Sequence, residues 1–201
     1  YFSQAGQRFR LVDLPGTYSL AADSPEEEVA GAFLQSGQAD AVIVVVDASC
    51  LRRGLILALQ LRQQTWRLVL CVNLMDEAAR RGVTPQLRRL GQLLDVPVVA
   101  TAARSGKGLA ELRHQAAEVC RREPWEDGWK LTYVPPVEAA LGLLETGMSR
   151  RRAVALLWGS PPTEGEQSLW QRAQQRLGAL SGQALRDSLT ASVVALAEEI
   201  G

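Results

Sequence analysis

Short, continuously apolar runs alternate with segments of helical periodicity over residues 40–121. The runs end at Val46, Val72 and Ala100, and apolar positions recur every three or four residues in 51–61 and 109–121. Runs without polar alternation are typical of strands that are buried on both faces of a parallel sheet. The pattern therefore predicts an α/β fold, with a mostly parallel sheet and helices on both of its faces.

The pattern changes beyond residue 122. Residues 123–136 contain three prolines and few periodic apolar positions, whereas the apolar spacing from residue 137 onwards is helical throughout. We predict four helices there, with Ser149 as the N-cap of the second and the three arginines 150–152 on its solvated face. The expected organisation is an α/β domain over 1–122, a linker over 123–136 and a small all-α domain over 137–201.

Charge and cysteine content exclude several functions. The 201 residues carry 22 basic and 22 acidic side chains, so a nucleic-acid partner has no electrostatic support. The three cysteines include no C-x-x-C, and Cys71 lies in an apolar run, where a reduced, buried thiol is expected, as in the cytosol. The single histidine, His114, has polar neighbours and is expected at the surface. No apolar run approaches the roughly 18 residues that a membrane span requires.

Polar residues with distinctive chemistry follow the predicted strands. Asp13 and Gly16 form a D-x-x-G tetrad after an apolar run at 9–12, which we predict to be a strand, and Asn73-Leu74-Met75-Asp76 follows Val72. Ligands of open α/β sheets bind at these carboxyl ends. A carboxylate such as Asp76 can accept hydrogen bonds from N1 and the 2-amino group of guanine, an arrangement that adenine lacks. Two alternatives stay open: Asp76 as a helix N-cap, and the tetrad as an ordinary turn.

Three boxes in this order resemble those of P-loop GTPases. In the resemblance, Asp13 holds Mg²⁺ through water and Gly16 reaches the γ-phosphate. The segment 73–76 matches N-K-x-D, with leucine in place of lysine, so that Asn73 and Asp76 select guanine. The third box, which contributes a backbone N–H from Ala103 to guanine O6, is made of Ala102, Ala103 and Arg104 after the strand that ends at Ala100.

Further residues narrow the resemblance to the FeoB ferrous iron transporter family. They lie at 12–20, 24–30, 45–49, 73–78 and 104–108, and the resemblance covers most of residues 10–120 and continues more loosely beyond 135. It implies GTP or GDP with Mg²⁺ as cofactors, and coupling of GTP hydrolysis to Fe²⁺ uptake. It also implies a membrane transport domain of the same parent chain as partner, and a location at the cytoplasmic face of the bacterial inner membrane. A homo-oligomeric state stays open.

One motif of ordinary GTPases does not occur in these 201 residues. No G-x-x-x-x-G-K-[S/T] precedes the D-x-x-G tetrad, so we expect the chain to be a fragment of a longer GTPase and to be inactive by itself. Thr17, the candidate catalytic residue, stands where many GTPases have a water-orienting glutamine, which predicts slow hydrolysis. Potassium dependence would rest on an asparagine of the missing loop. Two other functions stay open: a non-catalytic interaction module, and a soluble GTPase of another family.

Overall fold

The computed structural model describes residues 1–16, 25–122 and 129–200. These residues divide into two compact units, the first made of Tyr1–Arg62 and Trp66–Trp129 with the C-terminal end of the chain, and the second of Gln63–Thr65 and Lys130–Glu199. The predicted boundaries at residues 122 and 136 remain predictions. Within the described ranges, no helix combines the length and the apolar character that crossing a membrane requires.

A parallel sheet forms the centre of the first unit. Its strands lie in the order β3 (Val42–Asp47), β4 (Leu68–Asn73) and β5 (Val98–Ala100), and an antiparallel hairpin of β1 (Phe2–Gln4) and β2 (Gln7–Phe9) lies apart from this sheet. The helices of the unit are α1 (Pro25–Gln35), α2 (Leu51–Gln64), α3 (Met75–Arg80), α4 (Leu87–Leu94) and α5 (Leu109–Arg121). The α/β class with a parallel sheet is therefore confirmed.

Apolar side chains explain why the sheet forms here. In β4 every residue from Leu68 to Val72 is buried, as expected for a central strand covered on both faces. A core cluster joins this strand to β5 and α5 through Val69, Val99 and Val119. The helix α2 lies very close to β3 at Gly54. There is no room for a side chain there, since an added Cβ would come 2.4 Å from a methyl carbon of the buried Val46. The predictions of a buried Cys71 thiol and an exposed His114 are both confirmed.

The strand predicted at residues 9–12 is wrong. Strand β2 ends at Phe9 and pairs with β1, and residues 10–16 form no regular element. Leu11 and Val12 are 63% and 40% exposed. A strand needs a neighbour to satisfy its backbone N–H and C=O groups, and no described strand pairs with residues 10–16. Their apolar character alone was therefore not enough to make them a strand.

The second unit is helical, as predicted. Its helices are α6 (Pro135–Leu144), α7 (Arg150–Leu157), α8 (Gln167–Leu177) and α9 (Gly182–Ile200), and each contributes fully buried apolar residues, among them Leu141, Leu144, Leu156, Ala173 and Leu189. Ser149 is the N-cap of α7, and its hydroxyl accepts a hydrogen bond from the Arg152 N–H at 3.3 Å. Thr163 and Glu166 form a capping box at the short turn before α8.

The solvated face predicted for residues 150–152 is wrong for two of the three arginines. Arg150 lies 2.8 Å from the Glu138 carboxylate and also donates to the main-chain oxygen of Leu131. Arg152 lies 2.6 Å from the Glu166 carboxylate. Both guanidinium groups therefore hold parts of the unit together, which a run of like charges at a helix start does not reveal.

We expect the Glu166 ion pair to make the second unit acid-sensitive. The hydrogen bond from Arg152, followed by the one from the Thr163 N–H, lowers the pKa of Glu166 from 4.5 to about 2. A lowered pKa means that this contribution to stability is complete above about pH 4.5 and is lost as the pH falls towards 2. The free energy of unfolding, measured with urea and tryptophan fluorescence, should therefore fall more steeply over this range for the wild type than for Glu166→Gln. Glu164→Gln, in the same turn, is the control and should follow the wild type; parallel curves for all three proteins would contradict the assignment.

Candidate functional site

The loops that follow β4 and β5 are joined by main-chain hydrogen bonds at the carboxyl edge of the sheet. The Thr101 N–H donates to the Val72 oxygen at 2.8 Å, and the Met75 N–H donates to the Thr101 oxygen at 3.1 Å. The second and third sequence boxes therefore lie side by side. This edge is where parallel α/β sheets bind their ligands.

The Asn73 side chain is held in one orientation by the loop after β5. Its Oδ1 accepts hydrogen bonds from the Thr101 hydroxyl at 2.9 Å and from the Ala103 N–H at 3.0 Å. The Ala103 N–H can only donate, so the oxygen of the amide must face this loop. The amide nitrogen consequently points away from Oδ1, and no residue in the described part of the chain accepts from it. It is a donor that is available to a ligand.

Thr101 links this amide to the interior of the sheet. Its side chain is 1% exposed, and its hydroxyl oxygen lies 3.2 Å from the Cys71 sulfur. Burial raises the pKa of the Cys71 thiol, which favours its protonated form. Thr101 was not predicted as a site residue, although a polar residue directly after a buried strand is a signal that could have found it.

The loop after β5 is a tight turn that presents backbone groups. A short turn of 3-10 helix covers Ala103–Ser105, and the Ala102 N–H donates to the Lys107 oxygen at 3.0 Å. Ala102 is buried, whereas Ala103 and Arg104 are exposed. Because the Ala103 N–H already donates to Asn73, its predicted contact with guanine O6 requires that it be shared with, or released from, the Asn73 oxygen.

Asp76 lies in the first turn of α3, and its side chain is 52% exposed. The N-cap position belongs to Leu74, in the left-handed region at φ 61°, so the alternative that Asp76 is the N-cap is wrong. The Asp76 carboxylate lies 3.8 Å from the guanidinium of Arg80, which is itself 72% exposed. An ion pair this open to water is weak, which leaves the carboxylate accessible to a ligand.

The turn after β3 is a further part of this edge. Asp47 is in register with Asn73 across the sheet, and its Oδ1 accepts from the Ser49 N–H at 2.7 Å and from the Ser49 hydroxyl at 2.8 Å. These two hydrogen bonds, the main-chain one first, lower the pKa of Asp47. Residues 45–49 contributed to the family resemblance, but no role was predicted for them; an aspartate followed two residues later by serine is a turn signal that could have found one.

Among the described residues, no hydrogen bond or ion pair joins Asp13 or Gly16 of the D-x-x-G tetrad to these loops. Asp13 and Gly16 are exposed in the irregular segment 10–16, and among the described residues Asp13 has no hydrogen-bond or ion-pair partner. A Cβ on Gly16 would meet none of the described residues within 4 Å. Thr17 lies outside the described residues. In the described ranges, no cluster of three or more His, Cys, Asp or Glu side chains could hold a metal ion.

The fold and the polar edge together define the class: a GTPase-like α/β domain, followed by a helical unit. The family follows from comparison with known proteins. The family model described as Ferrous iron transport protein B matches residues 1–116. Because this match covers more than half of the chain, the chain belongs to that family.

Curated proteins of known organisms are similar to part of the chain. The chain is 38% identical over 112 residues to the Fe(2+) transport protein A/Fe(2+) transporter FeoB fusion protein of Porphyromonas gingivalis, which is 55% of this chain and 13% of that protein. It is 41% identical over 95 residues to the Fe(2+) transporter FeoB of Helicobacter pylori, which is 47% of this chain and 15% of that protein. The chain therefore spans a small part of the length of these relatives.

Solved structures resemble almost the whole chain. The cytosolic domain of the T. maritima FeoB iron transporter in its GMPPNP form gives a TM-score of 0.80 at 27% identity, over 99% of this chain and 81% of that one. A GDP form of the same domain gives 0.78 at 28% identity, with the same coverage of both chains. The mGMPPNP-bound NFeoB from S. thermophilus gives 0.74 at 26% identity, over 94% of this chain and 76% of that one.

Proposed function

We propose that this chain is the guanine-nucleotide-binding and helical region of a FeoB-type ferrous iron transporter, in which GTP binding and hydrolysis are coupled to Fe²⁺ uptake. The observation that carries the proposal is the oriented Asn73 amide, held by Thr101 and Ala103 beside the accessible Asp76 carboxylate. The similar T. maritima structures in GDP and GMPPNP forms support guanine nucleotides as the ligand class.

Each residue of this edge has a role that follows from its hydrogen-bonding groups. The Asp76 carboxylate accepts from N1 and the 2-amino group of guanine, and the Asn73 amide nitrogen donates to N7. The Ala103 N–H would be shared between O6 and the Asn73 Oδ1, while Ala102 and Arg104 complete the loop that presents it. Adenine has an amino group where guanine has O6 and no hydrogen on N1, so it would oppose both the Ala103 donor and the Asp76 acceptor.

The phosphate side of the proposed site is assigned to residues 13–17. Asp13 would contact Mg²⁺ through water, Gly16 would approach the γ-phosphate, and Thr17 would stand beside the attacking water. One exposed carboxylate, with no ion-pair partner among the described residues, fits this ion, because Mg²⁺ with nucleotides keeps several waters and takes its other ligands from phosphates. When bound, Mg²⁺ would neutralise negative charge on the phosphate oxygens. Potassium dependence remains a prediction of the resemblance, since no described residue is assigned to it.

The remaining proposals concern the parent protein. The α/β domain of 1–122, the linker of 123–136 and the helical domain of 137–201 would together pass the nucleotide state to a membrane transport domain of the same chain. The place of this region is then the cytoplasmic face of the bacterial inner membrane. A homo-oligomer remains a further possibility for the assembled transporter.

A competition experiment tests the nucleotide proposal. Fluorescent GDP is bound to the purified chain and displaced by GDP, IDP or ADP. The two hydrogen bonds to the Asp76 carboxylate contribute about 3 kcal/mol together or more, so GDP should compete at concentrations about 100-fold lower than ADP. IDP lacks the 2-amino group and should fall between them. Equal competition by GDP and ADP would contradict the guanine assignment, and no binding of any nucleotide would favour a non-catalytic interaction module.

A further inference from the structure

The turn that follows β3 holds the backbone of Asn73. The Ala48 N–H donates to the Asn73 main-chain oxygen at 2.9 Å. Asn73 is thus fixed from two directions: its main chain by Ala48 on the β3 side, and its side chain by Thr101 and Ala103 on the β5 side. A change in either neighbouring loop therefore reaches the amide nitrogen that would face the base.

The Asp47 carboxylate closes that turn. One oxygen accepts from both the N–H and the hydroxyl of Ser49, and the Cys50 N–H donates to the Asp47 main-chain oxygen at 3.1 Å. These bonds fix the peptide groups on both sides of Ala48. The direction in which the Ala48 N–H points is consequently set by Asp47, although among the described residues no hydrogen bond joins Asp47 to the Asn73 side chain.

The same turn also contacts the far end of α3. The Arg81 guanidinium donates to the Ser49 hydroxyl at 3.5 Å, and Arg81 directly follows the helix that carries Asp76 in its first turn. The charge of Arg81 contributes to the lowered pKa of Asp47, which places the two groups in the same electrostatic environment. The turn at 47–50 therefore contacts the C-terminal end of α3, whereas its direct hydrogen bond to a proposed base-reading residue is the one to Asn73.

We propose that Asp47 is a positioning residue for guanine recognition, which acts through the turn at 47–50 on the orientation of Asn73. This inference rests on the proposed function. Asp47 makes no contact with the nucleotide in this account; it sets the backbone from which Asn73 presents its amide. Loss of the carboxylate frees the Ser49 N–H and hydroxyl and lets the Ala48 N–H turn away from the Asn73 oxygen.

The test compares two substitutions of Asp47 with a control. Asp47→Ala removes the acceptor, whereas Asp47→Asn keeps an oxygen that can accept both hydrogen bonds from Ser49. Asp40→Ala changes an exposed aspartate just before the same strand and is the control. Amide resonances of Asn73 and Ala103 in ¹H–¹⁵N spectra should move in Asp47→Ala and stay close to the wild type in the other two variants. Ser49→Ala, which removes the hydroxyl alone, should give smaller shifts of the same resonances. It replaces Asp47→Ala in the test if that variant does not fold.

Nucleotide binding supplies the second readout. Asp47→Ala should weaken GDP binding about 5- to 10-fold, as for the loss of about one hydrogen bond, with Asp47→Asn restoring most of it. In an Asn73→Ala background, Asp47→Ala should cause no further loss of GDP affinity, because the amide through which Asp47 would act on the base is absent. A stability effect alone would leave the two losses additive.

The outcomes separate this inference from the proposed function. A wild-type chain that does not distinguish GDP from ADP defeats the proposed function, and the positioning role falls with it. A wild-type chain that does distinguish them, together with unmoved Asn73 and Ala103 resonances in Asp47→Ala and Ser49→Ala, overturns the positioning role alone. It is overturned as well if Asp47→Ala lowers GDP affinity by the same factor in the wild type and in the Asn73→Ala background.

Discussion

Gly108→Ala is expected to destabilise the first unit by about 2–5 kcal/mol, from backbone strain of about 1–2 kcal/mol and overpacking of about 1–3 kcal/mol. Gly108 has φ +80°, a conformation that L-residues with a side chain rarely adopt, and an added Cβ would lie 2.1 Å from the Ala100 main-chain oxygen. Backbone on both sides of the clash has to move, since no flexible side chain can yield. The displaced loop is the one that holds Asn73 through Ala103, so nucleotide binding should be lost together with stability. Urea unfolding of the purified variant measures the effect.

Gly106→Ala is the matched control for this substitution. Gly106 lies in the same loop at φ +76°, but a Cβ there would meet no atom of the described chain within 4 Å. We therefore expect the cost of the left-handed backbone alone, about 1–2 kcal/mol. The difference between the two variants isolates the close approach of Gly108 to β5. Equal destabilisation by the two substitutions would contradict the close approach of Gly108 to the Ala100 main-chain oxygen.

Asp76→Ala is expected to weaken GDP binding about 100-fold or more and to leave ADP binding unchanged. The carboxylate would accept two N–H groups that guanine has in this arrangement and adenine does not. Asp76→Asn should instead favour xanthosine diphosphate, because an amide N–H₂ can donate to the 2-oxo group that replaces the amino group of guanine. Equilibrium competition against fluorescent GDP measures all three affinities.

Glu77→Gln is the control for the charge on this helix. Glu77 neighbours Asp76 in the first turn of α3, is 41% exposed and lies 4.0 Å from the same arginine, Arg80. If the role of Asp76 is to accept from guanine, Glu77→Gln should bind GDP like the wild type. A similar loss in both variants would indicate a general effect of negative charge, and would contradict base recognition by Asp76.

Hydrophobic patterning predicted most of the fold, because the strands β3, β4 and β5 all have continuous apolar runs. The expectation that such a run is covered on both faces is wrong for β3, where Val45 is 61% exposed, and holds for β4, which is buried on both faces. Such strands have a sequence signature of their own, as the run from Leu68 to Val72 shows. The same reasoning failed at residues 9–12, where apolar residues alone cannot indicate whether a pairing strand is present. It also failed for Arg150 and Arg152, whose carboxylate partners lie 12 and 14 residues away.

The candidate site was predictable in part. The second and third sequence boxes follow β4 and β5, which were predicted as strands from their apolar pattern, and these boxes contain Asn73, Asp76 and Ala103. The strand predicted before the first box is absent from residues 10–16. The supporting residues were not found, because their contribution depends on register. Asp47 matters through its position opposite Asn73 in the neighbouring strand, and Thr101 through a hydroxyl that meets Asn73 across 28 residues of sequence.

A titration with GDP, followed by ¹H–¹⁵N spectra of the chain, tests the central claim most directly. The account predicts that the resonances of Asn73, including its side-chain amide, and those of Asp76 and Ala103 shift together as GDP is added. ADP at the same concentrations should leave these resonances in place. Shifts that are equal for GDP and ADP, or that occur at other residues while these three stay unmoved, would contradict guanine recognition at this edge of the sheet.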